Sequence, residues 1–176
     1  MNAVIKLTLD GKAVEAQPGE TLWALAKRHG TTVPHLCHTE GLASVGNCRA
    51  CMVEVDGERT LAASCCRMAT QGMQVQTNSP RARTAQTMVL SLLMSDAGAS
   101  TNALTPHSEL GDWAKRWGAK PERLPKRQRV ASDPSHTAIS VNLDACIQCT
   151  RCLRACRDVQ VNDVIGLAGR GAHARI

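Results

Sequence analysis

The chain has 176 residues, enough for one ordinary domain or two small ones. Its residues are 43% hydrophobic and 20% charged, a balance that excludes a largely disordered chain. It has three Trp residues but no Phe or Tyr, and its net charge is +6. A nucleic-acid site normally adds aromatic stacking residues to basic ones, so we expect no nucleic acid. The positive charge can equally attract anionic lipid or an acidic protein partner.

The sequence gives no indication of export or of a membrane span. No signal-peptide pattern follows Met1, and no apolar run approaches the roughly 20 residues that cross a bilayer. We therefore expect a cytoplasmic protein. In that compartment nine cysteines favour metal binding over disulfide bonds.

The first part of the chain carries the pattern of a small α+β roll. Alternating apolar residues predict strands, and an apolar stripe at helical spacing predicts a helix that ends at Gly30. The predicted order is strand 3–9, a tight turn at Asp10-Gly11, strand 13–16, helix 22–29, strand 52–55 and strand 73–77. A long loop of small residues separates the helix from the third strand.

A second helix is predicted to begin at Ser79-Pro80, a cap followed by a first helical residue. Its apolar residues share one face, which we expect to pack on the roll: Ala85, Met88, Val89, Leu92 and Leu93. From residue 95 to residue 136 the composition predicts a connector with one short helical segment, at Trp113 and Trp117. Regular structure is predicted to resume over residues 138–143.

Four cysteines follow the first helix, with the spacing C-x10-C-x2-C-x13-C: Cys37, Cys48, Cys51 and Cys65. The C-x2-C step lets two thiolates from one turn bind a single iron, and the two distant cysteines complete the coordination. Small residues between them let backbone N–H groups approach the sulfurs and stabilise a negatively charged cluster. A zinc ion held by four thiolates is the alternative that this pattern leaves open.

Three neighbouring residues are not expected to be ligands. Cys66 directly follows Cys65, so we expect its side chain to point away from the group. His35 and His38 flank Cys37, but a Rieske centre pairs each His with its own Cys. We interpret both histidines as surface residues or as neighbours of the ligands.

The phrases P-H-L-C-H, G-N-C-R-A-C-M-V-E-V and L-A-A-S-C carry a resemblance to a known family. They resemble the N-terminal domain of the large iron–sulfur subunit of complex I, over about residues 3–95. Matching regions of NAD-linked hydrogenases and NAD-dependent formate dehydrogenases are similar. The resemblance implies a β-grasp fold on which the four cysteines hold a [2Fe–2S] cluster.

A second group has the spacing C-x2-C-x2-C-x3-C: Cys146, Cys149, Cys152 and Cys156. This spacing is highly specific for a [4Fe–4S] cluster, and in two-cluster ferredoxins the fourth cysteine ligates the other cluster. No second run of this kind is present, so the ligand set is incomplete. We therefore expect a fragment of a longer subunit, the alternative being a short chain whose site a partner completes.

The stretch around this second group resembles the formate dehydrogenase alpha subunit more closely than complex I. Those families usually carry a further motif of one His and three Cys between the two groups. Residues 95–136 contain His107 and His136 but no cysteine, so we expect that cluster to be absent. Arg151, Arg154 and Arg157 recur every third residue, which predicts a solvated basic stripe or, alternatively, a role in raising the cluster potential or docking an acidic partner.

The predicted organisation is an α+β protein in four parts. They are a β-grasp [2Fe–2S] ferredoxin-type domain at 1–80, an amphipathic helix packing on it at 81–95, a connector at 96–136, and a partial bacterial-type [4Fe–4S] ferredoxin domain at 137–176.

No catalytic nucleophile, acid–base pair or nucleotide loop is visible, so we predict no catalytic residue. The leading hypothesis is an electron relay. The resemblance implies that it would connect a C-terminal formate-oxidising site, outside this chain, to a flavin and NAD diaphorase subunit. A zinc-stabilised assembly module is the alternative. Thiol–disulfide exchange at Cys48 and Cys51 would need a βαβ unit that the pattern does not offer.

Overall fold

The computed structural model describes residues 4–97, 108–126, 128, 131–135, 137–138 and 141–176. The chain forms two compact units. The first comprises Met1–His38 and Ser44–Val89, and the second comprises Thr39–Ala43 and Leu90–Ile176. Some residues that the sequence analysis named lie outside the described residues: residue 3 of the first predicted strand, His107, His136 and residues 139–140.

The first unit is built on a five-stranded mixed sheet in the order β2-β1-β5-β3-β4. The strands are β1 (Ile5–Leu9), β2 (Lys12–Ala16), β3 (Met52–Val55), β4 (Ala62–Ala63) and β5 (Gln74–Gln76). β1 and β5 are parallel, and the other pairs are antiparallel. The two-residue β4 was not predicted, because its Ala residues carry no strand preference.

The predicted turn at Asp10-Gly11 is confirmed. Asp10 has φ 48° and Gly11 has φ 80°, and a two-residue hairpin turn of this hand favours Asp-Gly. The Asp10 carboxylate accepts hydrogen bonds of 2.7 Å from both the backbone N–H and the hydroxyl of Thr77. The first hairpin is thereby tied to the end of β5.

Helix α1 (Leu22–Arg28) supplies the other side of the core. Thr21 caps it by accepting a hydrogen bond from the N–H of Ala24, and the apolar stripe that predicted the helix is buried. The core consists mainly of aliphatic residues from the helix and sheet, including Leu7, Leu9, Leu22, Leu25, Val53 and Val75. A helix packed on a mixed sheet is the α+β roll expected from the sequence.

Helix α2 (Pro80–Asp96) begins as predicted, with Ser79 accepting a hydrogen bond from the N–H of Ala82. The predicted buried face is wrong at Met88 and Leu92, which are 51% and 48% exposed. Its other members are partly buried: Ala85, Val89 and Leu93. The buried positions include Ala82, Gln86 and Leu90 instead. The physical reason is Gln86, whose amide donates to the carbonyls of Met52 (2.7 Å) and Thr77 (3.0 Å) and so fixes the rotation of the helix.

The second unit contains helix α3 (Glu109–Trp117), capped by Ser108, with the rings of Trp113 and Trp117 in edge-to-face contact at 5.0 Å. Helix α4 (Arg151–Arg154) continues as a π-helical turn over Ala155–Val159. Short 3-10 turns cover Pro121–Arg123, Leu143–Ala145 and Gly171–His173.

The prediction over residues 138–143 is met only in part. Within its described residues, Val141 pairs with Asp133 in an isolated bridge.

Among the described residues, no helix combines the length and the apolar character needed to cross a bilayer.

Replacing Gln86 with Met should lower the free energy of unfolding by about 2 kcal/mol. The substitution keeps the side-chain volume but removes two buried hydrogen bonds, each worth about 1 kcal/mol. The exposed substitution Met88→Gln on the same helix should change the urea midpoint little. Equal midpoints for the two variants would contradict the role of Gln86 in fixing α2.

Candidate metal centres

The first four cysteines lie in two places in the first unit. Cys37, Cys48 and Cys51 belong to the stretch between α1 and β3, and Cys65 lies two residues after the end of β4. Cys37, Cys51 and Cys65 are at most 1% exposed, whereas Cys48 is half-buried. The structure therefore brings together the four thiols that the spacing predicted to share one site.

The four thiol groups form one hydrogen-bonded chain. Hydrogen bonds from the thiols of Cys48 and Cys65 lower the pKa of Cys37, and a hydrogen bond from Cys65 lowers the pKa of Cys51 to about 7. The donors respond in the opposite direction: hydrogen bonding to Cys37 raises the pKa of Cys48 and of Cys65. The lowered pKa values of Cys37 and Cys51 favour the thiolate, which is the form of cysteine that binds metal.

Backbone N–H groups point at the sulfurs. The N–H of Cys37 donates to Sγ of Cys48, and the N–H of Cys48 donates to Sγ of Cys37, each at 3.4 Å. Arg49, inside the C-x2-C step, has φ 58°, a left-handed conformation that non-glycine residues seldom adopt. This turn directs amide dipoles toward the negative charge that thiolate ligands carry.

These residues fit a [2Fe–2S] cluster. The four thiols are linked by hydrogen bonds at a mostly buried site, and amide donors are placed to stabilise an anionic group. Ser64, buried beside Cys65, supports the site by donating its hydroxyl (2.8 Å) and its N–H (3.0 Å) to the Cys51 carbonyl. Nothing in the sequence singled out Ser64, because a buried serine leaves no pattern of its own.

His35 and His38 pack against Trp23, with ring centroids 4.6 Å and 4.3 Å from the indole. Nδ1 of His38 lies 2.8 Å from the Ser44 hydroxyl, and Nδ1 of His35 lies 3.1 Å from the Val33 carbonyl. The two histidines thus make contacts that hold the loop on α1.

The expectation that Cys66 points away from the group is wrong. Its Sγ lies 3.6 Å from Sγ of Cys65, although Cys66 is exposed. Gly46 lies on its other side: a Cβ added there would lie 3.1 Å from the Cys66 sulfur. The close approach explains why this position, with φ +60°, needs glycine.

The second group is arranged differently. Cys152 is exposed as a residue, but partial loss of water around its sulfur, followed by the charges of Cys149 and Cys146, raises the pKa of its thiol. Cys156 lies in the π-helical turn, where its Sγ accepts the N–H of Val164 at 3.4 Å. Three neighbouring sulfurs with a fourth carried into the helix fit the [4Fe–4S] pattern expected from the spacing.

Each C-x2-C step of the second group also contains one left-handed residue, as the step of the first group does. Gln148 has φ 54° and Thr150 has φ 60°, and the N–H of Gln148 donates to Sγ of Cys146 at 3.4 Å. One left-handed residue in each step turns the chain around the sulfurs. The sequence did not reveal these positions, because neither residue is the glycine that such a conformation favours.

Two family models match the chain. Residues 2–80 match the 2Fe-2S iron-sulfur cluster binding domain, and residues 137–176 match the ferredoxin-like domain of NADH-quinone oxidoreductase subunit 3. The matched regions contain the first and the second cysteine groups, respectively.

Curated relatives are similar along almost the whole chain. One subunit of the NADH-quinone oxidoreductase of Rickettsia prowazekii is 31% identical over 176 residues, which cover 98% of this chain and 26% of the relative. The mitochondrial NADH-ubiquinone oxidoreductase 78 kDa subunit of Neurospora crassa is 32% identical over 179 residues, covering 99% of this chain and 24% of the relative. The chain thus spans about a quarter of the length of these relatives.

A solved structure has the same fold. The crystal structure of NAD+-reducing [NiFe]-hydrogenase in the H2-reduced state matches with a TM-score of 0.87 at 26% identity, covering 98% of this chain and 74% of that one. The chain therefore contains a mixed α/β 2Fe–2S ferredoxin-like domain followed by a 4Fe–4S ferredoxin-like region. Both cofactor predictions are confirmed, and the zinc alternative is not favoured. The similarity is to NADH-quinone oxidoreductase and hydrogenase-type subunits and gives no specific support for formate dehydrogenase.

Replacing Gly46 with Ala should lower the stability of the first unit more than replacing Gly57 with Ala. Both positions have positive φ, so each Ala costs about 1–2 kcal/mol in backbone strain. Only at Gly46 would the new Cβ meet Cys66, whereas nothing lies within 4 Å of a Cβ at Gly57. Adding Cys66→Ala to Gly46→Ala should return the urea midpoint and iron content to those of Gly57→Ala. A double variant as unstable as Gly46→Ala would contradict this contact.

Proposed function

We propose that the chain is an iron–sulfur electron-transfer module, in which Cys37, Cys48, Cys51 and Cys65 hold the [2Fe–2S] cluster. The single observation that carries the proposal is the convergence of these four thiols, three of them fully buried, under reciprocal N–H donors. Such a site binds an anionic cluster and offers no acid–base chemistry to a substrate.

The second part of the proposal concerns the [4Fe–4S] cluster. Its ligands are proposed to include the neighbouring thiols of Cys146, Cys149 and Cys152. Cys156 belongs to the same motif, and its position after the three others is the one that ligates the second cluster in two-cluster ferredoxins.

When bound, the [2Fe–2S] group supplies one-electron chemistry, near about −400 mV in plant-type ferredoxins. The chain's own residues bind the irons through thiolates and limit the access of water. The N–H groups of Cys37 and Cys48 stabilise negative charge on the sulfurs, which favours the reduced form. Because these dipoles are fixed by the loop, they need little rearrangement when the charge changes.

We further propose that the module works in a multi-subunit NAD-linked oxidoreductase beside a flavin and NAD diaphorase subunit, in the cytoplasm. The relatives named above support an NADH-linked complex. The more specific hypothesis is that this complex is a formate dehydrogenase, and it is supported by the sequence around Cys146–Cys156. The cytoplasm keeps cysteines reduced, which suits sites built from thiolates.

Electron paramagnetic resonance tests the first cluster. Protein purified without oxygen and reduced with dithionite should show a rhombic [2Fe–2S] signal. Cys48→Ser should remove the signal or change it, because Cys48 is proposed to be a ligand. Cys66→Ser is the matched control: this thiol also lies beside Cys65 but is proposed not to ligate, so the signal and the iron content should persist.

Two outcomes would overturn the proposal. One is a colourless protein that binds only zinc, even after reconstitution with iron and sulfide. The other is a [2Fe–2S] signal that survives Cys48→Ser unchanged and disappears in Cys66→Ser.

A further inference from the structure

The three regularly spaced arginines of the second unit have different environments. Arg151 forms an ion pair with Glu109, and Arg157 forms one with its neighbour Asp158 while remaining exposed. Arg154 is only 3% exposed. The predicted solvated stripe is therefore wrong at Arg154, which turns into the protein.

The buried guanidinium contacts the cysteine turn and a distant segment. Nη1 of Arg154 donates to the carbonyl of Ala43 at 2.6 Å, across 111 positions of sequence. Nη2 lies 3.5 Å from the carbonyl of Cys149, and Nε lies 3.4 Å from the hydroxyl of Thr150. Cys149 is a ligand in the proposed site, and Thr150 is the left-handed residue that follows it.

The backbone strengthens this connection. The N–H of Arg154 donates to the carbonyl of Thr150 at 3.0 Å, so the same residue holds the turn through its main chain and its side chain. Ala43 belongs to Thr39–Ala43, the short segment that the second unit includes. One side chain thus fixes the turn against this segment.

From these contacts we infer that Arg154 is a positioning residue for the second cluster and that its positive charge raises the reduction potential of that cluster. The inference rests on the proposed function. Reduction adds one electron to an already anionic cluster, and a positive charge held in a poorly solvated place stabilises the added charge. An exposed arginine has a weaker effect, because water and salt screen it.

The experiment compares Arg154→Gln, Arg154→Lys and Arg157→Gln in the whole chain after iron and sulfide reconstitution. Redox titration is followed by the electron paramagnetic resonance signal of the [4Fe–4S] cluster. At a given potential, Arg154→Gln should change the oxidised-to-reduced ratio of this cluster at least tenfold toward the oxidised form. This change is about 59 mV for a one-electron couple. Arg154→Lys keeps the charge and should shift the potential less, and Arg157→Gln should leave it nearly unchanged.

Hydrogen exchange measures positioning without relying on the potential. Exchange over residues 39–43 and 146–154 should be faster in both Arg154 variants than in Arg157→Gln. If the [4Fe–4S] cluster assembles in Arg157→Gln but not in Arg154→Gln, the positioning role is supported. The reduction potential is then measured in Arg154→Lys instead.

Equal potentials in Arg154→Gln and Arg157→Gln would overturn the electrostatic role. A missing [4Fe–4S] resonance in the unsubstituted chain would contradict the proposed second cluster, and hydrogen exchange would still decide the positioning role. Equal exchange in all three variants would overturn the positioning role. The [2Fe–2S] resonance in the same samples separates these results from failure of the proposed function, because it should persist in every variant.

Discussion

The first unit depends on holding several sulfur atoms, which become anionic, in a place that water barely reaches. Buried charge is costly unless dipoles compensate for it. The N–H groups of Cys37 and Cys48 provide such compensation, and they are available because this part of the loop forms no helix or strand. Regular structure would use those N–H groups in its own hydrogen bonds. The site therefore requires an irregular loop, and the loop in turn requires a rigid support.

The sheet and α1 provide that support through a few specific contacts. The Trp23 ring packs against both histidines of the loop, and the backbone N–H of Trp23 donates to the Ser64 carbonyl at 3.0 Å. Ser64 in turn holds the carbonyl of Cys51. A chain without Phe or Tyr thus places one of its three Trp side chains where the loop meets the core. The support is local packing, and the core beneath it remains aliphatic.

Periodicity and turn chemistry in the sequence were sufficient to predict the first hairpin, α1 and the strand at Met52–Val55. The cysteine spacing of the second group was sufficient to predict a [4Fe–4S] cluster. The spacing of the first group predicted a metal site, and the resemblance to known families implied that its metal group is a [2Fe–2S] cluster. The sequence did not predict the burial of Gln86 and Arg154, because each depends on hydrogen bonds to segments distant in sequence. Gln86 places polar volume on the buried face of α2, against the apolar pattern. Arg154 is buried although its spacing matches that of its exposed neighbour, because its acceptor lies in a segment distant in sequence.

The second unit shows how cluster binding and folding are linked. Its described residues include exposed apolar side chains just after the cysteine turn, among them Val161 and Val164 at about 80% exposure. Polar contacts shape the turn instead: Gln148 donates to the carbonyl of Ala174, and Arg154 holds the carbonyls of Cys149 and Ala43. Left-handed backbone at Gln148 and Thr150 costs free energy, which these contacts help to offset. A cluster that binds only the folded turn would add its binding free energy to folding. The bound cluster would therefore help to maintain the backbone conformation in which amides face the sulfurs.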